Sequence, residues 1–108
     1  MLKCELDLRC YFVTGSGSER DIVTRARDAA RAGAGVIQVR SKPISARDLY
    51  SLGREVAHAV REANPATRVL IDDRVDVALA LCDEGVHGVH LGQDDLDVRV
   101  ARRLLGPE

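Results

Sequence analysis

The sequence is poor in aromatic residues: two tyrosines, one phenylalanine and no tryptophan make up 3% of it. It also lacks an excess of either charge, with 16 Lys and Arg against 17 Asp and Glu. Single-stranded nucleic acid is gripped by aromatic platforms in a cationic groove, and neither is available in quantity. Nucleic acid is therefore not an expected partner. No apolar run approaches the ~18 residues of a membrane span and no signal pattern stands at the start, so no membrane association is expected. The three cysteines, Cys4, Cys10 and Cys82, form neither a CxxC motif nor an even framework. A reduced, cytoplasmic protein is the simplest account. Cys82 is expected to pack within an apolar helix.

What is present is a regular alternation. At 108 residues the chain is expected to form one domain. Residues 8–14 read as a first strand. Ser18 with Asp21 marks a helix start, after which Ile22, Ala26, Ala29 and Ala30 recur at helical spacing and Gly33 provides the stop. Residues 35–42 begin as a short apolar run with β-branched residues and read as a second strand that stops by Pro43. Ser45 with Asp48 starts a second helix, with Leu49, Leu52, Val56 and Val60 as its apolar stripe and Asn64-Pro65 as its end. Residues 68–71 predict a third strand, 75–82 a short helix closed by Gly85, and 86–91 a fourth strand. A last helix carries Leu96, Val100, Ala101, Leu104 and Leu105. The order βαβαβαβα implies parallel strands with right-handed crossovers.

In such folds chemistry collects beyond the C-terminal ends of the strands. Residues 35–42 end in an unusual way. Gln38 and Arg40 sit two apart, so they project from one face of the strand while Ile37 and Val39 project from the other. Lys42 continues the same parity, and Pro43 stops the ladder. Two cations at the mouth of a buried strand either form its solvated end or need a partner, which an anion such as phosphate supplies. The third strand runs into Asp72-Asp73 and the fourth into Gln93-Asp94-Asp95. Carboxylates from two strand ends beside cations from a third suggest a magnesium–phosphate site. Mg²⁺ takes one or two protein carboxylates, keeps waters and completes its shell with phosphate oxygens. The competing reading is helix capping by Asp73 and Asp95, each just before a helix.

Other motifs carry less. Gly15-Ser16-Gly17-Ser18 lacks the third glycine of a dinucleotide loop and is not followed by GK[ST]. His87 and His90 are three apart on a strand and face opposite sides, with no further zinc ligand at useful spacing. Both are expected to be core or surface histidines, and His58 a solvated one.

Taken together, four segments resemble thiamine-phosphate synthases: Tyr11-Phe12-Val13-Thr14, Ala34 through Lys42, Leu70 through Ala78, and Gly88 through Asp95. The Gln-x-Arg-x-Lys and His-Leu-Gly-Gln-x-Asp elements carry most of the likeness, which runs from about residue 10 to the end. The resemblance implies a TIM (β/α)₈ barrel and the joining of hydroxymethylpyrimidine diphosphate to thiazole phosphate, with release of pyrophosphate and dependence on Mg²⁺. It implies that Gln38, Arg40 and Lys42 bind the diphosphate, with Arg40 and Lys42 stabilising the charge of the leaving group, and that Asp73 and Asp95 hold Mg²⁺. Asp72 stands where the family usually has a substrate-contacting Asn, so a negative charge is added beside the diphosphate. Thiazole tautomerase relatives share the Arg-x-Lys but resemble this chain less at Gly92-Gln93-Asp94-Asp95.

The family's barrel is about twice as long as this chain, and eight strands are needed to close it. Residues 1–108 are thus expected to form a single half-barrel of four βα units, with open edges at the first and fourth strands. A homo-oligomer or a separate chain is expected to complete the barrel. The alternative is a truncated, non-catalytic half-barrel that binds phosphate compounds or serves only in assembly.

Overall fold

A computed structural model describes residues 10–15, 17–40, 44–92 and 97–105. Two serines set the starts of its longest helices. The Ser18 hydroxyl accepts the Asp21 N–H at 3.2 Å, and the Ser45 hydroxyl accepts the Asp48 N–H at 3.1 Å. Each satisfies a donor that the first helical turn leaves open. From them run α1 (Glu19–Arg31) and α2 (Ala46–Ala63). Gly33, at φ 102°, turns the chain out of α1 in the left-handed region that glycine occupies without steric cost. Asn64 caps α2, and its side-chain amide donates to the Ala30 carbonyl at 3.0 Å, fastening the two helix ends together.

The strands are β1 (Tyr11–Val13), β2 (Val36–Val39), β3 (Arg68–Asp72) and β4 (Gly88–His90). They form one parallel sheet in the order β1-β2-β3-β4. Sequential parallel order with helical crossovers is the arrangement of half a (β/α)₈ barrel. Two shorter helices, α3 (Val75–Ala80) and α4 (Val98–Leu105), complete the alternation.

The two faces of the sheet differ. Ile37, Val39, Val69 and Ile71 point to one face and are fully buried against Ile22, Ala26, Leu49, Val56 and Val60 of the helices. Each such aliphatic contributes about 1.5–3 kcal/mol by leaving water. The opposite parity carries Tyr11 and Val13 on β1, Gln38 on β2, Arg68 and Leu70 on β3, and Gly88 and His90 on β4. At the β1 edge that face is open: Tyr11 is 39% exposed and Val13 41%.

Three expectations are revised. The fourth strand is limited to Gly88–His90, because the His87 side chain, rather than a backbone carbonyl, meets the Val69 N–H. The third helix stops at Ala80 and is followed by a 3₁₀ turn over Cys82–Glu84, closed by Gly85 at φ 106°. Cys82 is therefore exposed rather than packed, since Leu81 fills the buried position and the chain turns outward directly after it. Lys42, Gln93, Asp94, Asp95 and Leu96 lie outside the described residues.

Candidate functional site

The C-terminal end of β2 is built by β1. The buried Thr14 hydroxyl accepts the Arg40 N–H at 3.0 Å and donates to the Arg40 carbonyl at 3.1 Å. Both backbone groups of Arg40 are thereby fixed just past the strand. Its guanidinium reaches out from this anchor, with 53% of the side chain exposed. Two residues earlier, the buried Gln38 donates its amide N–H to the Tyr11 hydroxyl at 2.6 Å.

Asp72 joins β2 to β4 at the same level. Its side chain is only 6% exposed. Oδ2 lies 3.6 Å from Arg40 Nε, and Oδ1 lies 3.3 Å from His90 Nδ1. A buried carboxylate costs several kcal/mol unless a charge and hydrogen bonds compensate it. Arg40 provides the charge, and the His90 tautomer protonated at Nδ1 provides a donor. The carboxylate at this position is thus accommodated by the same arginine that the sequence pattern directs toward phosphate. Three successive strand ends, β2, β3 and β4, meet at one buried anion.

Asp73 occupies a strained turn. Its φ is 70°, and the Arg74 N–H donates across it to the Asp72 carbonyl at 2.9 Å, a three-residue γ-turn. A non-glycine residue held there costs about 1–3 kcal/mol, and such strain concentrates at functional sites. The turn also removes the competing reading of Asp73 as a helix cap: the N-cap of α3 is Arg74. Arg74 in turn holds the Asp76 carboxylate at 3.0 and 2.6 Å, which keeps that carboxyl below its usual range.

Among the described residues no group of three or more His, Cys, Asp or Glu side chains could hold a metal by itself. Mg²⁺ needs only one or two hard carboxylate oxygens and leaves the rest of its shell to water and phosphate. Asp73, half-buried just past the end of β3, carries a carboxylate that could serve as such a donor. Asp95 and Lys42, the other residues expected here, lie outside the described residues.

The remaining candidates go elsewhere. His58 is on the exposed side of α2, with Nε2 2.7 Å from Glu84 Oε2. His87 lies at the other end of the sheet from His90, beside Arg68. Residues around the Gly15–Ser18 loop line a cavity of about 190 Å³ between the starts of α1 and α2, where Glu19 accepts the Ser51 hydroxyl at 3.3 Å. Its acidic lining, Glu19 and Asp48, does not suit a nucleotide phosphate.

Sequence reasoning missed Thr14, Tyr11 and His90 as parts of this arrangement. Strand parity was the available signal for His90, which shares the inward face with Gly88 and stands level with Asp72. Thr14 gave no such signal, because its role rests on a bond to a residue 26 positions away.

A parallel βα sheet that gathers an arginine, a buried carboxylate and a histidine at its C-terminal end defines this chain as a barrel-type α/β protein. Comparison with known proteins gives the family. A sequence model described as thiamine monophosphate synthase matches residues 10–108, and the chain belongs to that family. It is 65% identical over 108 residues to a thiamine-phosphate synthase of Corynebacterium jeikeium, covering 99% of this chain and 49% of that protein. With a thiamine-phosphate synthase of Campylobacter jejuni it shares 42% identity over 109 residues, covering 99% of this chain and 50% of that one. The solved structure of a thiamine phosphate pyrophosphorylase from Pyrococcus furiosus superposes with a TM-score of 0.76 at 33% identity, covering 90% of this chain and 45% of that chain. The chain spans about half the length of the curated relatives it matches. Among the described residues no helix is long and apolar enough to cross a membrane.

Proposed function

We propose that residues 1–108 form one half-barrel carrying the pyrimidine-diphosphate half of a thiamine-phosphate synthase site, acting in the cytoplasm. The reaction joins hydroxymethylpyrimidine diphosphate to thiazole phosphate and releases pyrophosphate. The observation that supports this reading best is the meeting of Arg40, Asp72 and His90 at the C-terminal ends of three adjacent strands. Fixed cations aimed at a departing anion are usually a large catalytic contribution.

In this reading Gln38, Arg40, Lys42 and Asp72 bind the substrate. Arg40 and Lys42 take up the charge that grows on the leaving pyrophosphate. Asp73 and Asp95 hold Mg²⁺, which when bound neutralises charge on the diphosphate oxygens. Thr14 keeps Arg40 in place throughout, since both its bonds are to the Arg40 backbone. Substrate must draw the Arg40 guanidinium from Asp72 to phosphate, so Asp72 sets how readily that exchange occurs.

The open inner face favours completion by a second copy of the chain or by a separate polypeptide that supplies the remaining strands. A stable, soluble monomer in light scattering would count against this. Activity is tested by supplying the purified chain with both substrates and Mg²⁺. Product above a no-protein control, lost in Arg40→Ala and in Asp95→Asn, supports the enzyme reading. No product from a folded sample favours the second reading, a half-barrel that binds phosphate compounds or assembles without catalysing.

A further inference from the structure

The opposite end of the sheet holds cations in a different setting. At the start of β3, the Val69 carbonyl accepts the His87 N–H at 2.8 Å. The Val69 N–H points to the same side and is accepted by His87 Nδ1 at 3.1 Å. A ring nitrogen that accepts a hydrogen bond carries no proton, so the neutral imidazole carries its proton on Nε2. Nε2 lies 3.3 Å from Arg68 Nη1, which can only donate. Two donors therefore face each other. Arg68 Nε is buried as well and has no hydrogen-bond partner among the described residues. Arg61, in the last turn of α2, lays its guanidinium over Gly85, two residues before His87. Among the described residues no carboxylate pairs with Arg61 or Arg68; the neighbouring Glu84 is taken by His58 and Arg54. Buried or half-buried donors without acceptors are rare in folded proteins, which makes this cluster informative.

We propose that Arg68 and His87, with Arg61 at the rim, form a second oxyanion site at the N-terminal end of the sheet, which takes a phosphate or carboxylate group of a small molecule. One oxygen about 2.9 Å from both Arg68 Nη1 and His87 Nε2 resolves the donor–donor contact. An anionic acceptor is favoured over water because charge-assisted bonds to guanidinium are the stronger kind. The site is separate from that of Arg40. Arg68 and Asp72 are the two ends of β3, about 13 Å apart at the rise of a parallel strand.

The test follows the His87 ring resonances by NMR in the full chain, titrated with inorganic phosphate and separately with acetate, using chloride at matched ionic strength as the control. The expected result is a saturable shift with phosphate or acetate and none with chloride. That shift persists in Arg40→Ala, which removes the other site's guanidinium. In Arg68→Gln affinity falls roughly ten-fold or more, as expected when a charged hydrogen bond is lost. Should Arg68→Gln fail to fold, Arg61→Gln and Arg68→Lys carry the test, each weakening binding while the far-ultraviolet circular dichroism stays native. Absence of a saturable shift overturns the proposal, as does an unchanged affinity in folded Arg68 and Arg61 variants. A shift lost in Arg40→Ala but kept in Arg68→Gln also overturns it, because the anion would then be acting from the C-terminal end.

Discussion

The two ends of the sheet hold the same types of group in opposite states. At the C-terminal end an arginine and a histidine flank a buried carboxylate, with Arg40 and His90 on either side of Asp72. At the N-terminal end an arginine and a histidine face each other with no carboxylate among the described residues. One end is electrically compensated, and in the proposed function it must exchange an internal anion for an external one. The other has donors already waiting. The difference shows that cation content alone does not identify an anion site, because what matters is whether an internal acceptor competes.

The broadest way to break this comparison is to damage the strand that links both ends. Ile71 is fully buried in the middle of the core. Ile71→Ala should cost about 2–5 kcal/mol in urea unfolding and weaken anion binding at both ends alike. If only one end responds, the ends are not held by a common core.

A sharper and smaller break separates them. Thr14 and Thr67 are both buried, one near each end. Thr14 holds the Arg40 backbone, whereas Thr67 donates to the Ala34 carbonyl at 2.7 Å. Thr14→Val and Thr67→Val should each destabilise the fold by about 1–3 kcal/mol through unsatisfied backbone groups. Only Thr14→Val should also weaken pyrophosphate binding, measured by calorimetry on the folded variant. Equal binding in the two variants would remove Thr14 from its positioning role.

Asp72→Asn tests competition directly. It removes the internal anion but keeps a side chain of the same shape, so Mg²⁺-free pyrophosphate should bind several-fold more tightly, a change worth about 1 kcal/mol. Weaker binding would mean that the Asp72 carboxylate is needed to hold Arg40 in a receptive pose.

The smallest effect is on pH dependence. Burial first, and then the charges of Arg68 and Arg61, hold the His87 pKa below its ordinary 6.5. Below pH 6.5 the unfolded chain therefore takes up a proton that the folded chain resists, and stability falls as pH drops. His87→Gln should flatten that part of the stability–pH profile measured by urea unfolding. Adding phosphate to the unmodified chain should flatten it too, if the N-terminal site fills. An identical slope in the variant would assign the acid sensitivity to other groups.

The sequence by itself determined the alternation of strands and helices. Ser18 and Ser45 with the periodic apolar residues behind them were sufficient, because capping and amphipathic spacing are local properties. It also determined the family, through motifs at strand ends, and the inward parity of Gln38 and Arg40, because alternation along a strand is geometric. The end of the third helix was not legible: Leu81 and Cys82 are both apolar, and only packing decides which one is buried. The γ-turn at Asp73 was hidden as well, since Asp before a helix reads equally well as a cap.

Tertiary structure alone decided which cation has a partner. Arg40 finds Asp72 and Arg68 finds His87 because parallel pairing brings together residues 32 and 19 positions apart. The motif around Arg40 marks that arginine in the sequence but does not say which of the two meets a carboxylate, because the energy of a charge depends on what the fold places within a few ångströms of it.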